Sequence, residues 1–379
     1  MVFGRSTCVS LLFALLAASS SDVVYADSPT YSPIKVGVAT ALTGDAAAFG
    51  HDIKNALSLA NEVIGGGKYE LIFEDEQCDN TTAVSVAQKF INLHKVSAVL
   101  GFPCNATLLA TAPLYERAQT LVVSSSGNSG DVVDIGKFII RLFPSDGLGS
   151  ELLFDFIKPK HSRIAIFTEQ NEYPVMVERT FRAANQRSNG PLELLSYDFV
   201  HGDTDLRSVV GKAKAKGAQA IFVNANTDAS FITLVKQIRA QQFAGPLYAL
   251  YLPSSEVVRK ELGDKVNGFI FANLPLPEDL TTNSGAQLLS QFKARFGNPQ
   301  SGFPVVPISF EAFRVFDEAV RSGKKWNEYL TDRSFTGGYI PDYRIDAEGA
   351  VQGIAFEMQT IVGGKVVRME PSRGDTPSH

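Results

Sequence analysis

Residues Ile34 to Ile64 read IKVGVATALTGDAAAFGHDIKNALSLANEVI, and this pattern predicts the class of fold. The apolar run from Ile34 to Ala41 is typical of a buried strand, and a polar turn containing glycine follows at Leu42 to Gly50. Apolar residues then recur at the spacing of one helix face, at Ile53, Ala56, Leu57, Ala60, Val63 and Ile64. This order predicts the first strand–loop–helix unit of an open α/β sheet, whose carboxyl edge is where ligands bind.

The same order of strand and helix repeats along the chain. Further strands are predicted at residues 71–74, 98–101, 120–124, 138–142, 163–168, 192–199, 220–224, 247–250 and 268–272, with amphipathic helices between most of them. After residue 273 we predict two more helices, near 285–296 and 308–322, and a hairpin over 354–369. The alternation predicts an α/β protein with parallel sheets and right-handed crossovers.

Residues 1–26 have the features of a cleaved signal peptide. Arg5 supplies a positive charge, residues 9–18 form an apolar run, and Val24-Tyr25-Ala26 fits a small-residue cleavage site. A membrane anchor is the alternative, but the run is shorter than the roughly 20 residues that span a bilayer. We therefore expect an exported chain of 353 residues (379 − 26), which is long enough for two domains.

The charge pattern argues against two classes of partner. The net charge is −5, from 35 Lys and Arg against 40 Asp and Glu, and no basic stripe is visible. Nucleic acid and anionic membrane surfaces are therefore not expected as partners. The lysines at positions 212, 214 and 216 are interpreted as the solvated face of one helix.

Signal cleavage would remove Cys8 and leave two cysteines, Cys78 and Cys104. In an exported protein an even pair favours a disulfide. Metal ligation is the alternative, but two cysteines do not complete a tetrahedral zinc site and no nearby pair of histidines helps.

Signatures of catalysis are weak. The serine-rich run Ser124 to Asn128 is not part of a G-x-S-x-G elbow, and the five histidines have no partnered nucleophile. The sequence contains no phosphate loop, and no G-x-G-x-x-G follows the first strand. We therefore expect no enzyme and no cofactor.

Polar and aromatic residues follow successive predicted strands. Any one of them could be an ordinary loop residue or a helix cap. Their recurrence at the same edge predicts a ligand cleft with hydrogen-bond donors and aromatic walls. The candidate ligand-binding residues are Phe49, Asn105, Ser126, Asn128, Tyr173, Asn226 and Tyr251.

The chain resembles the periplasmic solute-binding proteins of the leucine/isoleucine/valine-binding type, the receptor components of ABC importers. The order and spacing of the matching segments cover essentially the whole mature chain. They lie at residues 34–37, 42–44, 49–50, 74–79, 101–104 and 163–166.

The resemblance implies the type I periplasmic binding protein fold, with two Rossmann-like α/β lobes, parallel sheets and a hinge of three chain crossings. Lobe 1 would comprise residues 33–146 plus about 275–335, and lobe 2 residues 147–274 plus about 336–370. Ligand would be trapped by closure of the hinge. The resemblance also implies a Cys78–Cys104 disulfide, a monomer in the periplasm and an ABC permease of the inner membrane as partner. The same fold also occurs in periplasmic ligand-sensing subunits of membrane receptors or kinases, and this function is the alternative.

Roles for the site residues also follow from the resemblance. Asn105, Ser126 and Asn128 match the groups that hold a ligand carboxylate, and a helix N-terminus favours an anion there. Phe49 matches an aromatic wall position. Tyr173 matches the tyrosine that closes from the second lobe, and a second family tyrosine is replaced near Asn226.

One departure concerns the ligand. Amino-acid receptors of this family carry an acid near the end of the predicted 247–250 strand, where this chain reads Leu250-Tyr251-Leu252-Pro253. An unpaired buried ammonium would cost several kcal/mol. Either another acid takes over or the ligand is an amide or carboxylate without an ammonium group. The acids that could take over are Asp228, Glu169 and Glu172.

Overall fold

The computed structural model describes Met1 and residues 32–127 and 135–370. Apart from Met1, the predicted signal peptide lies outside these residues, and so does the candidate site residue Asn128. From Pro33 onward the described residues belong to one compact unit. None of their helices combines the length and the apolar character needed to cross a membrane.

The first sheet has five parallel strands, formed where the sequence predicts apolar runs. The strands are β1 Ile34–Thr40, β2 Tyr69–Asp75, β3 Ala98–Gly101, β4 Leu121–Ser124 and β5 Ile139–Arg141, in the order β2-β1-β3-β4-β5. Val36 pairs with Leu71 on one side and with Ala98 on the other. The order reverses at β1, and the loops after β1 and β3 therefore flank a crevice at the carboxyl edge.

Three helices connect these strands. They are α1 Ala47–Ala60, α2 Asn80–Gln88 and α3 Asn105–Ala118. Gly50 lies where α1 approaches the end of β1, and a Cβ there would lie 1.5 Å from the carbonyl oxygen of Ala41. The glycine therefore allows the helix to start directly beside the strand that precedes it.

The chain next builds a second parallel sheet by the same alternation. Its strands are β6 Arg163–Glu169, β7 Glu193–Phe199, β8 Ala220–Asn224, β9 Leu247–Leu250 and β10 Phe269–Asn273. Its helices are α4 Asp146–Ile157, α5 Glu172–Arg187, α6 Arg207–Ala215, α7 Asp228–Ala240 and α8 Glu256–Leu262. Helix α4 begins four residues before the start predicted from the sequence. The reason is that the Ser145 hydroxyl caps α4 by accepting a hydrogen bond from the Gly147 N–H at 3.2 Å.

After β10 the chain returns to the first sheet and adds three helices. They are α9 Asn283–Phe296, α10 Val305–Arg321 and α11 Trp326–Leu330. The long helix α10 packs against α1, and its phenylalanines Phe310, Phe313 and Phe316 are fully buried. The two longer helices were predicted, while α11 was not.

Three short strands follow that the sequence analysis did not predict. They are β11 Arg333–Phe335, β12 Tyr343–Ile345 and β13 Val351–Gln352, and they form a small antiparallel sheet. Ala350, the residue directly before β13, makes a parallel bridge to Arg141 of the first sheet. The lobe boundaries given above stay a prediction.

The described part of the chain ends with the predicted hairpin, whose two antiparallel strands complete the second sheet. These are β14 Glu357–Val362 and β15 Lys365–Arg368, and the sheet order is β15-β14-β10-β9-β8-β6-β7. The chain thus passes between the two sheets three times, at residues 142–145, 274–282 and 353–356. Two mainly parallel sheets joined by three crossings confirm the predicted fold class.

Cys78 and Cys104 form a disulfide between the loops that follow β2 and β3, with their Cα atoms 5.7 Å apart. The buried Glu76 carboxylate lies beside the two sulfur atoms. Because the cysteines are bonded to each other, neither supplies a thiolate for the alternative metal site. The bond fixes the backbone at the residue that precedes α3.

Replacing both cysteines by serine should lower the free energy of unfolding by about 3 kcal/mol, the loop-closure entropy expected for a loop of this length. Urea denaturation of the double variant against the wild type measures the loss. Wild-type protein treated with reductant serves as the control and should lose the same amount. Equal stability of all three proteins would contradict the prediction.

Candidate functional site

Loops from the carboxyl edges of both sheets enclose a cavity of about 690 Å³. The first sheet contributes the loops after β1, β2, β3 and β4, and the second contributes those after β6, β7, β8 and β9. All strands of a parallel sheet end at one edge, and ligand sites form where such loops converge. The cavity is therefore the candidate ligand site.

Six of the seven candidate residues line this cavity, and the seventh, Asn128, lies outside the described residues. Their part in binding stays a prediction, but the structure brings them together from six separate loops and helix ends. The six are Phe49, Asn105, Ser126, Tyr173, Asn226 and Tyr251.

One end of the cavity is formed by the N-terminus of α3. Asn105 is the first residue of this helix and is 8% exposed, and Ser126 approaches from the loop after β4. The Gly127 N–H donates to the Phe102 carbonyl oxygen at 2.6 Å, which ties the two loops together. The N–H groups in the first turn of a helix have no acceptor within the helix itself, and together with the helix dipole they make this end suitable for a carboxylate.

Aromatic rings form a second part of the wall. The Tyr251 ring lies 3.6 Å from that of Phe303 and 6.1 Å from that of Tyr173, measured between ring centroids. Phe303 also contacts Phe49 and Phe143, at 5.2 and 5.4 Å. These five rings come from helix starts and loops next to both sheets and from the segment before α10, and they bury apolar surface inside the cleft.

Sequence reasoning missed Phe143 and Phe303. Phe303 reaches Tyr251 because Gly302, with φ of 72°, lets the chain lie against the backbone of Ser254. The Ser254 hydroxyl donates to the Gly302 carbonyl oxygen at 2.9 Å. No periodic pattern in the sequence indicates such a contact between residues so far apart.

Of the three candidate acids, Glu169 is engaged within the protein. Its carboxylate is 1% exposed and accepts hydrogen bonds from the Asn226 N–H at 2.6 Å and the Ser230 hydroxyl at 2.8 Å. Nδ1 of His201 lies 3.2 Å from the same carboxylate. Glu169 thus organises the loops of the second sheet and has little capacity left for a ligand.

His201 also connects the two sets of loops. Its Nε2 lies 3.1 Å from a carboxylate oxygen of Asp45, in the loop after β1. Sequence reasoning had set His201 aside because no nucleophile accompanies it. Its position after β7, at the end of a strand, is the signal that could have identified it.

Asp228 differs from Glu169 in its surroundings. It is the first residue of α7, and its Oδ2 accepts from the Ser255 hydroxyl at 3.0 Å. Its Oδ1 is buried and has no hydrogen-bond partner in the part of the chain that the structure describes. Burial raises the pKa of Asp228 to about 6, and the charge of Asp45 adds to the shift, although the Ser255 hydrogen bond lowers it. The third candidate, Glu172, is exposed at the edge of the cavity.

Asp228→Asn should stabilise the ligand-free protein at neutral pH. The raised pKa means that the folded protein holds the Asp228 proton more tightly than the unfolded chain does, so the free energy of unfolding falls as the pH rises from about 4 to about 6. The asparagine variant avoids this loss, which amounts to about 3 kcal/mol for a shift of this size. Urea denaturation at about pH 7 should reveal the gain, and at about pH 4 it should vanish.

Asp342→Asn is the matched control, since it removes the same charge from an exposed loop between β11 and β12. It should leave stability unchanged at both pH values. A gain of equal size in both variants would mean that net charge, and not the burial of Asp228, is responsible.

Comparison with known proteins agrees with this geometry. Residues 33–332 match the family model described as periplasmic binding protein. The chain is 25% identical over 328 residues to a leucine-, isoleucine-, valine-, threonine- and alanine-binding protein of Pseudomonas aeruginosa, covering 82% of this chain and 83% of that one. It is also 25% identical over 264 residues to an amino acid binding protein of the same species, covering 67% and 69%.

Solved structures share the fold. A leucine-binding protein from Thermotoga maritima superposes with a TM-score of 0.78 at 21% identity, covering 89% of this chain and 98% of that one. A solute-binding protein of an ABC transporter from R. palustris, in complex with benzoate, superposes with a TM-score of 0.78 at 15% identity, covering 89% and 95%. With two mainly parallel sheets around one cleft and the family model matched over residues 33–332, the chain belongs to the periplasmic binding protein family.

Proposed function

We propose that this protein is the periplasmic substrate-binding component of an ABC importer. It captures a small organic solute between its two lobes and presents it to a permease of the inner membrane. The observation that carries the proposal is the cavity of about 690 Å³, lined by carboxyl-edge loops of both sheets. Three chain crossings join the sheets, and such connections can act as a hinge for closure around a ligand.

The first lobe supplies the polar anchor. The Asn105 amide, the Ser126 hydroxyl and the N-terminus of α3 donate hydrogen bonds to one end of the ligand, such as a carboxylate or amide oxygen. The helix dipole favours a negative charge there. Phe49 forms the adjoining apolar wall. Binding at this end alone leaves the ligand partly exposed to water.

The second lobe completes the enclosure. Tyr173, Asn226 and Tyr251 contact the ligand after closure, so that one molecule bridges both lobes. Because the bridged state exists only when the lobes are close, ligand shifts the population toward the closed form. The protein then releases the solute unchanged to the permease, and no turnover is expected.

The class of ligand follows from the site and from relatives. Related proteins are named as binding amino acids, and one structural neighbour holds benzoate. We propose an amino acid or a related carboxylate or amide. The protein is expected to act in the periplasm as a monomer, after removal of its signal peptide.

Native mass spectrometry of protein purified without denaturation tests the proposal, because a closed cleft retains bound solute. A thermal-shift panel of amino acids, carboxylates and amides extends the test to ligands lost during purification. A retained solute, or a raised melting temperature with a panel member, supports a binding protein. Overnight incubation followed by mass spectrometry must return that solute unchanged; conversion of it would indicate an enzyme.

Asn105→Ala should weaken binding by about 1–3 kcal/mol, because a buried polar atom of the ligand loses its partner. Isothermal titration with the panel member that binds most tightly measures the change. Asn283→Ala is the matched control, since Asn283 is the exposed first residue of α9. Equal dissociation constants for both variants and the wild type would remove Asn105 from the site.

A further inference from the structure

Asp228 is a carboxylate with unused hydrogen-bonding capacity inside the cleft. Its Oδ2 accepts from Ser255, whereas its Oδ1 is buried with no partner in the described ranges of the chain. A buried polar atom without a partner is costly, and native proteins rarely keep one without a reason. A ligand that donates to this oxygen would remove the cost, and the residue lines the cavity in which such a ligand would lie.

Three other acids of the cleft already have partners within the protein. Glu169 accepts from Asn226 and Ser230. Asp79 caps α2 by accepting from the Thr82 N–H at 2.8 Å. Asp45 faces His201 at 3.1 Å. Asp228 is therefore better able than these three acids to form a new ion pair. Glu172, which also lines the cavity, is exposed, whereas Oδ1 of Asp228 is buried.

The charge balance of the cavity indicates the sign of the ligand group. The single basic side chain among the described lining residues is His201, and neither lysine nor arginine is among them. Clefts lined by one sign of charge attract the opposite sign. The lining acids are Asp45, Asp79, Asp146, Glu169, Glu172 and Asp228.

The aromatic wall adds a second attraction for a cation. The Tyr251 ring lies 6.1 Å from the Tyr173 ring, and both line the cavity with Asp228. Burial raises the pKa of the Tyr251 hydroxyl well above its usual range, and the charges of Asp146, Asp228 and Glu169 raise it further. The hydroxyl therefore lies within the field of these carboxylates. Aromatic faces next to a carboxylate favour a positively charged group over a neutral one.

We propose that the ligand carries an ammonium group, and that Asp228 pairs with it beside Tyr173 and Tyr251. The inference rests on the proposed function, and it narrows the ligand from carboxylates in general to amino compounds. Asp228 lies at the start of α7 and lines the cavity together with Tyr173 and Tyr251. The carboxylate end of an amino acid would then lie at α3, with its ammonium at α7.

Two sets of matched probes test this by isothermal titration. The first is leucine, 4-methylpentanoate, which lacks the ammonium, and 3-methylbutylamine, which lacks the carboxylate. The second is phenylalanine, 3-phenylpropanoate and 2-phenylethylamine. In at least one set, the amino acid or the amine should bind at least about tenfold more tightly than the carboxylate, since only they can pair with Asp228.

Variants locate the effect. Asp228→Asn should weaken the binding of the ammonium-bearing probes by at least about tenfold. The carboxylates should bind as they do to the wild type or more tightly, because a desolvated negative charge has been removed. Asp342→Asn, which changes the same charge on the exposed surface, should bind every probe like the wild type. Carboxylates that bind as tightly as the amines, or ammonium probes that tolerate Asp228→Asn, would overturn the proposal while leaving the protein a binding protein.

If none of the six probes binds, the solute that co-purifies with the native protein takes their place. It is released by acid and its mass and composition are determined. A solute without a basic nitrogen overturns the ammonium proposal. A solute with a basic nitrogen supports it if the Asp228→Asn variant loses this solute and the Asp342→Asn variant retains it. No retained solute, together with no response to the wider panel, would remove the proposed function itself.

Discussion

The site depends on a geometric constraint, that every strand of a parallel sheet ends at the same edge. In the first sheet β1 has β2 and β3 as its two neighbours, and in the second β6 has β7 and β8. Each sheet therefore has a crevice where the loops diverge to opposite faces. Three chain crossings join the two sheets, and the loops of both sheets line one cavity.

Chemically similar groups acquire different roles within this frame. Glu169 is the last residue of β6, Asp228 begins α7 after β8, and both line the cavity. Donors from Asn226, Ser230 and His201 surround Glu169, whereas Asp228 keeps one oxygen without a partner in the described part of the chain. Burial, which the Ser255 hydrogen bond offsets only in part, raises the pKa of Asp228.

Local patterns account for what could be predicted. The apolar runs of β1 and β6 and the amphipathic spacing of α1 are readable because their periods depend on neighbouring residues alone. The strands β11 to β13 have only two or three residues each, too few to display a period, and they exist through pairing with one another. The position of Phe303 could not be predicted for a similar reason, because it depends on the contact of its neighbour Gly302 with Ser254, which is distant in the chain.

The sequence alone established the α/β alternation, the strand-end candidates such as Asn105 and Tyr173, and the absence of an acid at Leu250 to Pro253. The sequence also indicated three acids that could pair with a ligand ammonium, but it did not rank them. Tertiary structure distinguishes them, since the free hydrogen-bonding capacity of a carboxylate depends on which donors the fold brings to it. Those donors lie on other loops, at His201 and Asn226 for Glu169 and at Ser255 for Asp228, and their distances exist only once the sheets are assembled.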